Sequence, residues 1–352
     1  MRRLNSIRIL RAVTATTVVV HHVLIQDGRM FGEFRVDVFF VLSGFVIALA
    51  LEAGTHSVRD FVTSRLVRIV PLYWLATLLV FFGALLRPDL FNSTTANIPG
   101  LLKSLFFIPY RKESGHMFPM LFVGWTLNYE MLFYATSALA LWRFRRHVPL
   151  IFAAITLMLA TLFLIASLAH SSRPIVEFLA YDRLLEFPLG IAVWFVWRKG
   201  VRIPVALAAT GAVAMYALMT CIERVWPDIS PLLGNGVPTC LLLLSTLSLE
   251  GRVVDSAFTR GLLYLGDASY ATYLSHPFVI EAMRKLVPKV VHGFDVRSPT
   301  GVILAIVVAS AVGCVVYRYI DKPLHRAIGR LIKVKRAVNA PAAGKDASCR
   351  VT

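Results

Sequence analysis

The chain has 352 residues, 57% of them hydrophobic and 16% charged, with a mean hydropathy of +0.68, values outside the range of soluble globular domains. Its formal charge of +17 does not indicate nucleic acid, because the lysines and arginines are scattered over short segments and form no groove-sized cluster with interleaved aromatics. The composition predicts an all-α, polytopic transmembrane helical bundle.

Apolar runs of spanning length occur at 12–27, 34–52, 70–87, 121–141, 149–169, 180–197, 203–222, 235–250, 262–282 and 300–317, which predicts about ten transmembrane helices. With the N-terminus inside, the cytoplasmic segments hold Arg2, Arg3, Arg8 and Arg11, then Arg59, Arg65 and Arg68, then Arg143, Arg145 and Arg146, then Arg198, Lys199 and Arg202, then Arg252 and Arg260, and finally the basic tail from Arg318 onward. This is the larger share of the 37 lysines and arginines, and such residues in short loops stay cytoplasmic, so the expected topology is N-in and C-in. The stretch 88–120, with FNSTTANIPG and PYRKESGHMFP, is expected outside as a loop. Residues 1–325 read as one transmembrane domain. Residues 326–352 read as a cytoplasmic tail, basic and amphipathic at first and held on anionic lipid, then Ala/Gly/Ser-rich and disordered. The spacing of Cys221, Cys240, Cys314 and Cys349 matches no metal site and indicates neither zinc nor disulfides. No signal-peptide cleavage pattern follows the first apolar run, which is expected to be retained.

Ionisable groups inside spans are costly unless they face the protein interior or a water-filled cavity, so each is a functional candidate. In RAVTATTVVVHH (11–22), Arg11 falls near the cytoplasmic face and His22 about 16 Å further along the helix. His21 points roughly 100° away from His22 and reads as a packing or lipid-interface neighbour. The second span runs back from Arg35, so Asp37 enters at the depth of His22, either facing a cavity or pairing with Arg35. Glu130, in GWTLNYEMLFY, lies mid-span. His276, in LGDASYATYLSHP, lies in the outer half, where it faces the same cavity or bonds a carbonyl freed by Pro277. His22, Asp37, Glu130 and His276 are therefore expected to share one cavity. Arg65 and Arg68, three residues apart in DFVTSRLVRIVPLYW, share a helix face. They read either as positive-inside anchors or, with Arg11, as a phosphate clamp at the cytosolic mouth.

Taken in order, Arg11-x10-His22, VDVFFVLSGFVI (36–47), SRLVRIVPLYW (64–74), GWTLNYEMLFY (124–134), RLLEFPLGI (183–191), LGDASYATYLSHP (265–277) and YIDKP (319–323) resemble the acyltransferase-3 family of integral membrane acyltransferases. Within it, the chain is most similar to exopolysaccharide O-acetyltransferases. The resemblance implies about ten helices in the cell inner membrane and a cytosolic acyl-CoA donor, usually acetyl-CoA. It also implies an acceptor hydroxyl on an extracytoplasmic glycan or lipid-linked sugar, with polysaccharide biosynthesis or export proteins as possible partners. Arg11 and His22 match the family's Arg-x10-His pair, Arg65 and Arg68 its paired arginines, and Glu130 the acidic residue of the fourth block. Asp321 stands where the family often has Glu, at a position expected to be structural. No hydrolase-like domain follows the last span, as in stand-alone members.

Direct transfer from a thioester to a sugar hydroxyl needs a base and donors for the developing oxyanion. No cysteine stands near the ionisable cluster and Ser43 lacks an evident base, which disfavours an acyl-serine or acyl-cysteine. His22 is the expected base, or alternatively a transient acyl carrier, with Asp37 or Glu130 orienting its ring. Arg11, Arg65 and Arg68 are expected to hold the CoA phosphates, and His276, Arg35 and Trp125 the acceptor; no metal is expected. A transporter or flippase of a glycan export pathway would also bury such groups, but the sequence lacks visible two-half symmetry and paired broken helices.

Overall fold

The computed structural model describes residues 4–24, 34–54, 57–90, 94–145 and 147–338, and among them all regular secondary structure is helical. The longer elements are α1 (Asn5–Leu24), α2 (Phe34–Glu52), α3 (Val58–Leu86), α4 (Ile98–Leu105), α5 (Trp125–Phe144), α6 (Val148–Ala169), α7 (Pro174–Leu179), α8 (Glu186–Arg198), α9 (Val205–Val225), α10 (Val237–Ser248), α11 (Ala257–Val290), α12 (Pro299–Val316) and α13 (Lys322–Val338). Each of the ten apolar runs coincides with one helix, while α4, α7 and α13 are additional. Five segments, Asn5–Leu24, Val58–Leu86, Val148–Ala169, Val205–Val225 and Pro299–Ile332, are long and apolar enough to cross a membrane. The chain is a multi-pass membrane protein. Helices α8 and α10, at 13 and 12 residues, are short for a bilayer, and α2, α5 and α11 carry ionisable side chains along their length. The tail's 339–352 portion, expected to be disordered, lies outside the described residues, as does Cys349.

Helix α3 starts twelve residues before the apolar run at 70, because Ser57 caps it by accepting from the Asp60 amide at 3.3 Å. Arg65 and Arg68 consequently lie inside a helix continuous with the span. Pro71 sits within it, as membrane helices tolerate. The expected loop after α3 contains α4 and is tied back to the bundle: Tyr73 and Trp74 donate to the carbonyls of Ser104 and Leu105 at 3.1 and 2.9 Å. In this loop Lys112 donates to Thr94 Oγ1 at 2.8 Å, and burial pushes its ammonium down to about 8.

Helix α1 lacks a side-chain cap of its own. The Glu250 carboxylate accepts from the Asn5 and Ser6 amides at 3.2 and 2.8 Å, and at the far end Arg284 donates to the His22 and Val23 carbonyls at 2.9 and 3.3 Å. Each cap satisfies orphan backbone groups and opposes the helix dipole with the appropriate charge. Contacts Arg8–Asp267, Arg11–Ser269 and His22–His276 advance together, so α1 and α11 run parallel along their length.

Close approach comes from small residues, the common device of membrane helix pairs. Between α2 and α8, a Cβ on Gly190 would lie 1.9 Å from the Val41 carbonyl oxygen and one on Gly44 would lie 2.0 Å from that of Phe187. Neither obstacle is a side chain that could swing away. Gly190→Ala is therefore expected to destabilise the fold by about 1–3 kcal/mol, read as a lowered Tm in detergent. Gly329→Ala, where nothing stands within 4 Å, should leave Tm unchanged.

Candidate active site

A cavity of about 140 Å³ opens between α1, α2, α3, α5 and α11, and its polar lining includes Arg11, Ser43, Arg65, Arg68, Glu130 and Tyr134. The Glu130 Oε1 accepts from Ser43 Oγ at 3.2 Å and from the Tyr134 hydroxyl, one turn on along α5. The α3 arginines come next to this carboxylate because the helix is continuous from Val58. Arg65 lies with its guanidinium carbon 5.6 Å from the Phe61 ring centroid and 5.9 Å from that of Tyr134. Its Nε is buried with no hydrogen-bond partner among the described residues. Arg11 donates to Ser269 Oγ at 2.8 Å. Three guanidinium groups thus face one carboxylate around a small space, an excess of positive charge that an anionic or strongly polarised ligand would offset.

The histidines form a second group. His276 is fully buried, with Nδ1 3.3 Å from the Thr272 carbonyl and Nε2 3.2 Å from Nδ1 of His22, which is also 2.9 Å from the Val18 carbonyl. A proton on each Nδ1 accounts for these contacts, the single His22 N–H being shared between the Val18 carbonyl and His276 Nε2. That tautomer leaves the His22 Nε2 lone pair free to accept. His22 also meets the rings of Phe122 at 5.3 Å and His21 at 4.9 Å. His21 is buried, which favours packing over the lipid interface, the two readings its angle on the helix allows.

The arginine cavity and the histidine pair are neighbours linked through Tyr273. Tyr273 lines the cavity and its ring stands 5.9 Å from that of His276. Its hydroxyl donates to the Val123 carbonyl at 2.7 Å and lies 2.9 Å from Thr126 Oγ1.

The four ionisable groups expected in one cavity therefore divide. Glu130 belongs with the arginines, and its Oε1 is taken by Ser43 and Tyr134 rather than by an imidazole. Asp37 is fully buried, with Oδ1 2.5 Å from Nε of Arg183, and Glu186 lies buried beside this pair. The His22 ring is oriented by Val18 and His276, not by Asp37 or Glu130. A carboxylate in a low-dielectric setting goes to the nearest guanidinium, whose charge and fork geometry outcompete a neutral ring. Arg35 lies within the electrostatic reach of Tyr216 and Glu223 on α9, and of His21 and His22.

Trp125 lines a separate cleft of about 240 Å³ with Tyr129, Phe178, Tyr181 and Arg183. Ser43 does have a carboxylate neighbour, Glu130, contrary to the reading of the sequence. Sequence reasoning also passed over Arg183, Glu186, Ser269 and Tyr273. The signals present were Tyr134 four residues after Glu130 and Tyr273 three before His276, spacings that stack side chains on one helix face.

The family model described as "Acyltransferase domain", of the acyltransferase-3 type, matches residues 4–319. The chain is 32% identical over 341 residues to "Exopolysaccharide production protein ExoZ" of Rhizobium meliloti (strain 1021), covering 94% of this chain and 100% of that protein. It is 26% identical over 333 residues to "Acyltransferase MdmB" of Streptomyces mycarofaciens, covering 85% of this chain and 82% of that protein. No solved structure matches the chain. With the family model spanning nearly all of the described bundle, and with the paired arginines and the Arg11–His22 helix inside the matched region, the chain belongs to the acyltransferase-3 family.

Proposed function

We propose that this membrane acyltransferase moves an acyl group, acetyl first among candidates, from cytosolic acyl-CoA to a sugar hydroxyl of an exopolysaccharide or other surface glycan. The observation that carries the reading is the adjacency of a cavity bearing Arg11, Arg65 and Arg68 to an imidazole, His22, whose Nε2 is free to take a proton. The likeness to a protein named for exopolysaccharide production supports a glycan acceptor.

In this reading the arginines hold the anionic end of the donor at the cavity mouth and the space between them admits the acyl-pantetheine arm, since about 140 Å³ is too little for a whole nucleotide. The acceptor oxygen attacks the thioester carbonyl carbon, a C–O bond forms and the C–S bond breaks. The hydroxyl proton passes to His22 Nε2 and then to the departing thiolate. Tyr273 touches both groups, lining the cavity and neighbouring His276, and in this reading the thioester passes close to its ring on the way to His22. The N-in, C-in orientation inferred from the basic loops puts the arginines towards the cytosol of an inner membrane and the histidine pair towards the opposite face.

The test uses the purified full chain in nanodiscs with acetyl-CoA. Free CoA, followed chromatographically, is expected to rise at least tenfold when de-O-acylated oligosaccharide from the producing strain's exopolysaccharide is added. A protein that leaves acetyl-CoA intact while moving the oligosaccharide across the bilayer would instead be a transporter.

A further inference from the structure

The cleft around Trp125 has the chemistry of a carbohydrate subsite. Phe118, Trp125, Tyr129, Phe178 and Tyr181 surround about 240 Å³, a space for roughly one sugar ring within the usual design of apolar walls and few polar groups. Flat aromatic faces carry negative potential and suit the weakly positive C–H face of a pyranose. Polar groups are set among them. Asn128 lines the cleft and is 6% exposed, and its Oδ1 is buried with no hydrogen-bond partner among the described residues. A buried acceptor left unmatched is costly, and a hydroxyl donor in the cleft would satisfy it.

The cleft is held by the ion pair that the catalytic groups leave unused. Arg183 is 2% exposed, paired with Asp37 and stacked 5.6 Å from the Trp125 ring centroid and 5.0 Å from that of Tyr181. Asp37 fixes the guanidinium, and the guanidinium fixes two aromatic walls. Glu177 at the rim is engaged by Arg111. Such polar anchoring would be wasted on an acyl chain.

Its position also fits. Phe118 of the cleft lies 6.4 Å from the Phe122 ring, which lies 5.3 Å from the His22 ring. Trp125 lines the cleft while its neighbour Thr126 lines the arginine cavity. The histidine pair is thus connected by aromatic contacts to both cavities, through Tyr273 to the cationic one and through Phe122 and Phe118 to the aromatic one.

We infer that the aromatic cleft seats a pyranose ring of the acceptor, with Asn128 Oδ1 accepting from a ring hydroxyl and Trp125 stacking on a ring face; this rests on the acyltransferase reading above. Asp37 is then a positioning residue for the cleft. The probe is the de-O-acylated exopolysaccharide oligosaccharide, and binding to the full chain in nanodiscs is read by saturation-transfer NMR, independently of turnover. The wild type is expected to transfer magnetisation to ring C–H protons. Trp125→Ala and Asn128→Leu should weaken binding at least tenfold, whereas Trp125→Phe should keep it within a few-fold. Asn128→Leu should also raise Tm in the absence of sugar, because the unmatched acceptor is gone, which separates lost binding from lost folding. Wild-type protein that binds no oligosaccharide, or folded Trp125→Ala and Asn128→Leu proteins that bind as wild type does, would overturn the assignment. Sugar binding with no acetyl transfer by the wild type would sink the enzymatic reading and leave the subsite standing.

Discussion

Purified His22→Ala protein is expected to lose acyl transfer by about 10²–10⁴-fold, the usual worth of a positioned general base, while the Kd for acetyl-CoA changes less than threefold. The reason lies in the separation of the two groups: His22 meets His276, Val18 and Phe122, and is not among the residues around the arginine cavity. Retained transfer would end the base role. The companion variant is Ser43→Ala. Ser43 donates to Glu130, so a serine acyl-enzyme would make this substitution as damaging as His22→Ala. Because Glu130 is shared with Tyr134 and faces three guanidinium groups, it is a poor base, and Ser43→Ala is expected to cost less than tenfold.

The second large effect falls on the donor. Arg65→Met and Arg68→Met should each raise the Kd for acetyl-CoA about 10- to 150-fold, since a hydrogen bond to a charged group contributes about 1.5–3 kcal/mol. Methionine keeps the apolar stem that packs at these positions. Isothermal titration of each protein against acetyl-CoA and against CoA gives the comparison. Equal losses for both ligands would place the arginines on the nucleotide end, and a loss confined to acetyl-CoA would place them on the thioester. Affinity unchanged in both variants would return them to plain membrane anchors.

Much of this arrangement is legible in the amino-acid sequence because membrane helices advertise themselves by length and apolarity. Each of the ten apolar runs overlaps one helix among the described residues, and α2 has the expected bounds, 34–52. Boundaries slip where polar sequence continues a helix under a cap, as at Ser57 for α3 and Ser256 for α11, whose 34 residues exceed the apolar run at both ends. Within the site, Arg11, Arg65 and Arg68 converge as depth along the helices suggests, whereas Glu130, expected with His22, lies with them instead. Depth does not give azimuth. Asp37 lies in the first turn of α2 and faces Arg183, on a helical turn that carries no periodic signal. Pairing across helices far apart in the chain, such as Ser43 with Glu130 or His22 with His276, is fixed by packing and leaves no local mark.

One feature of α1 reaches beyond the site itself. From Asn5 to Leu24 it has neither glycine nor proline, it is clamped at both ends by Glu250 and Arg284, and it carries both Arg11 and His22. The two tasks proposed above for Arg11 and His22 are thus mounted on a single helix with no glycine or proline between them. On the proposed function the helix would act as a gauge, selecting donors by the length of the arm joining anion to thioester and leaving the size of the acyl group to be judged elsewhere.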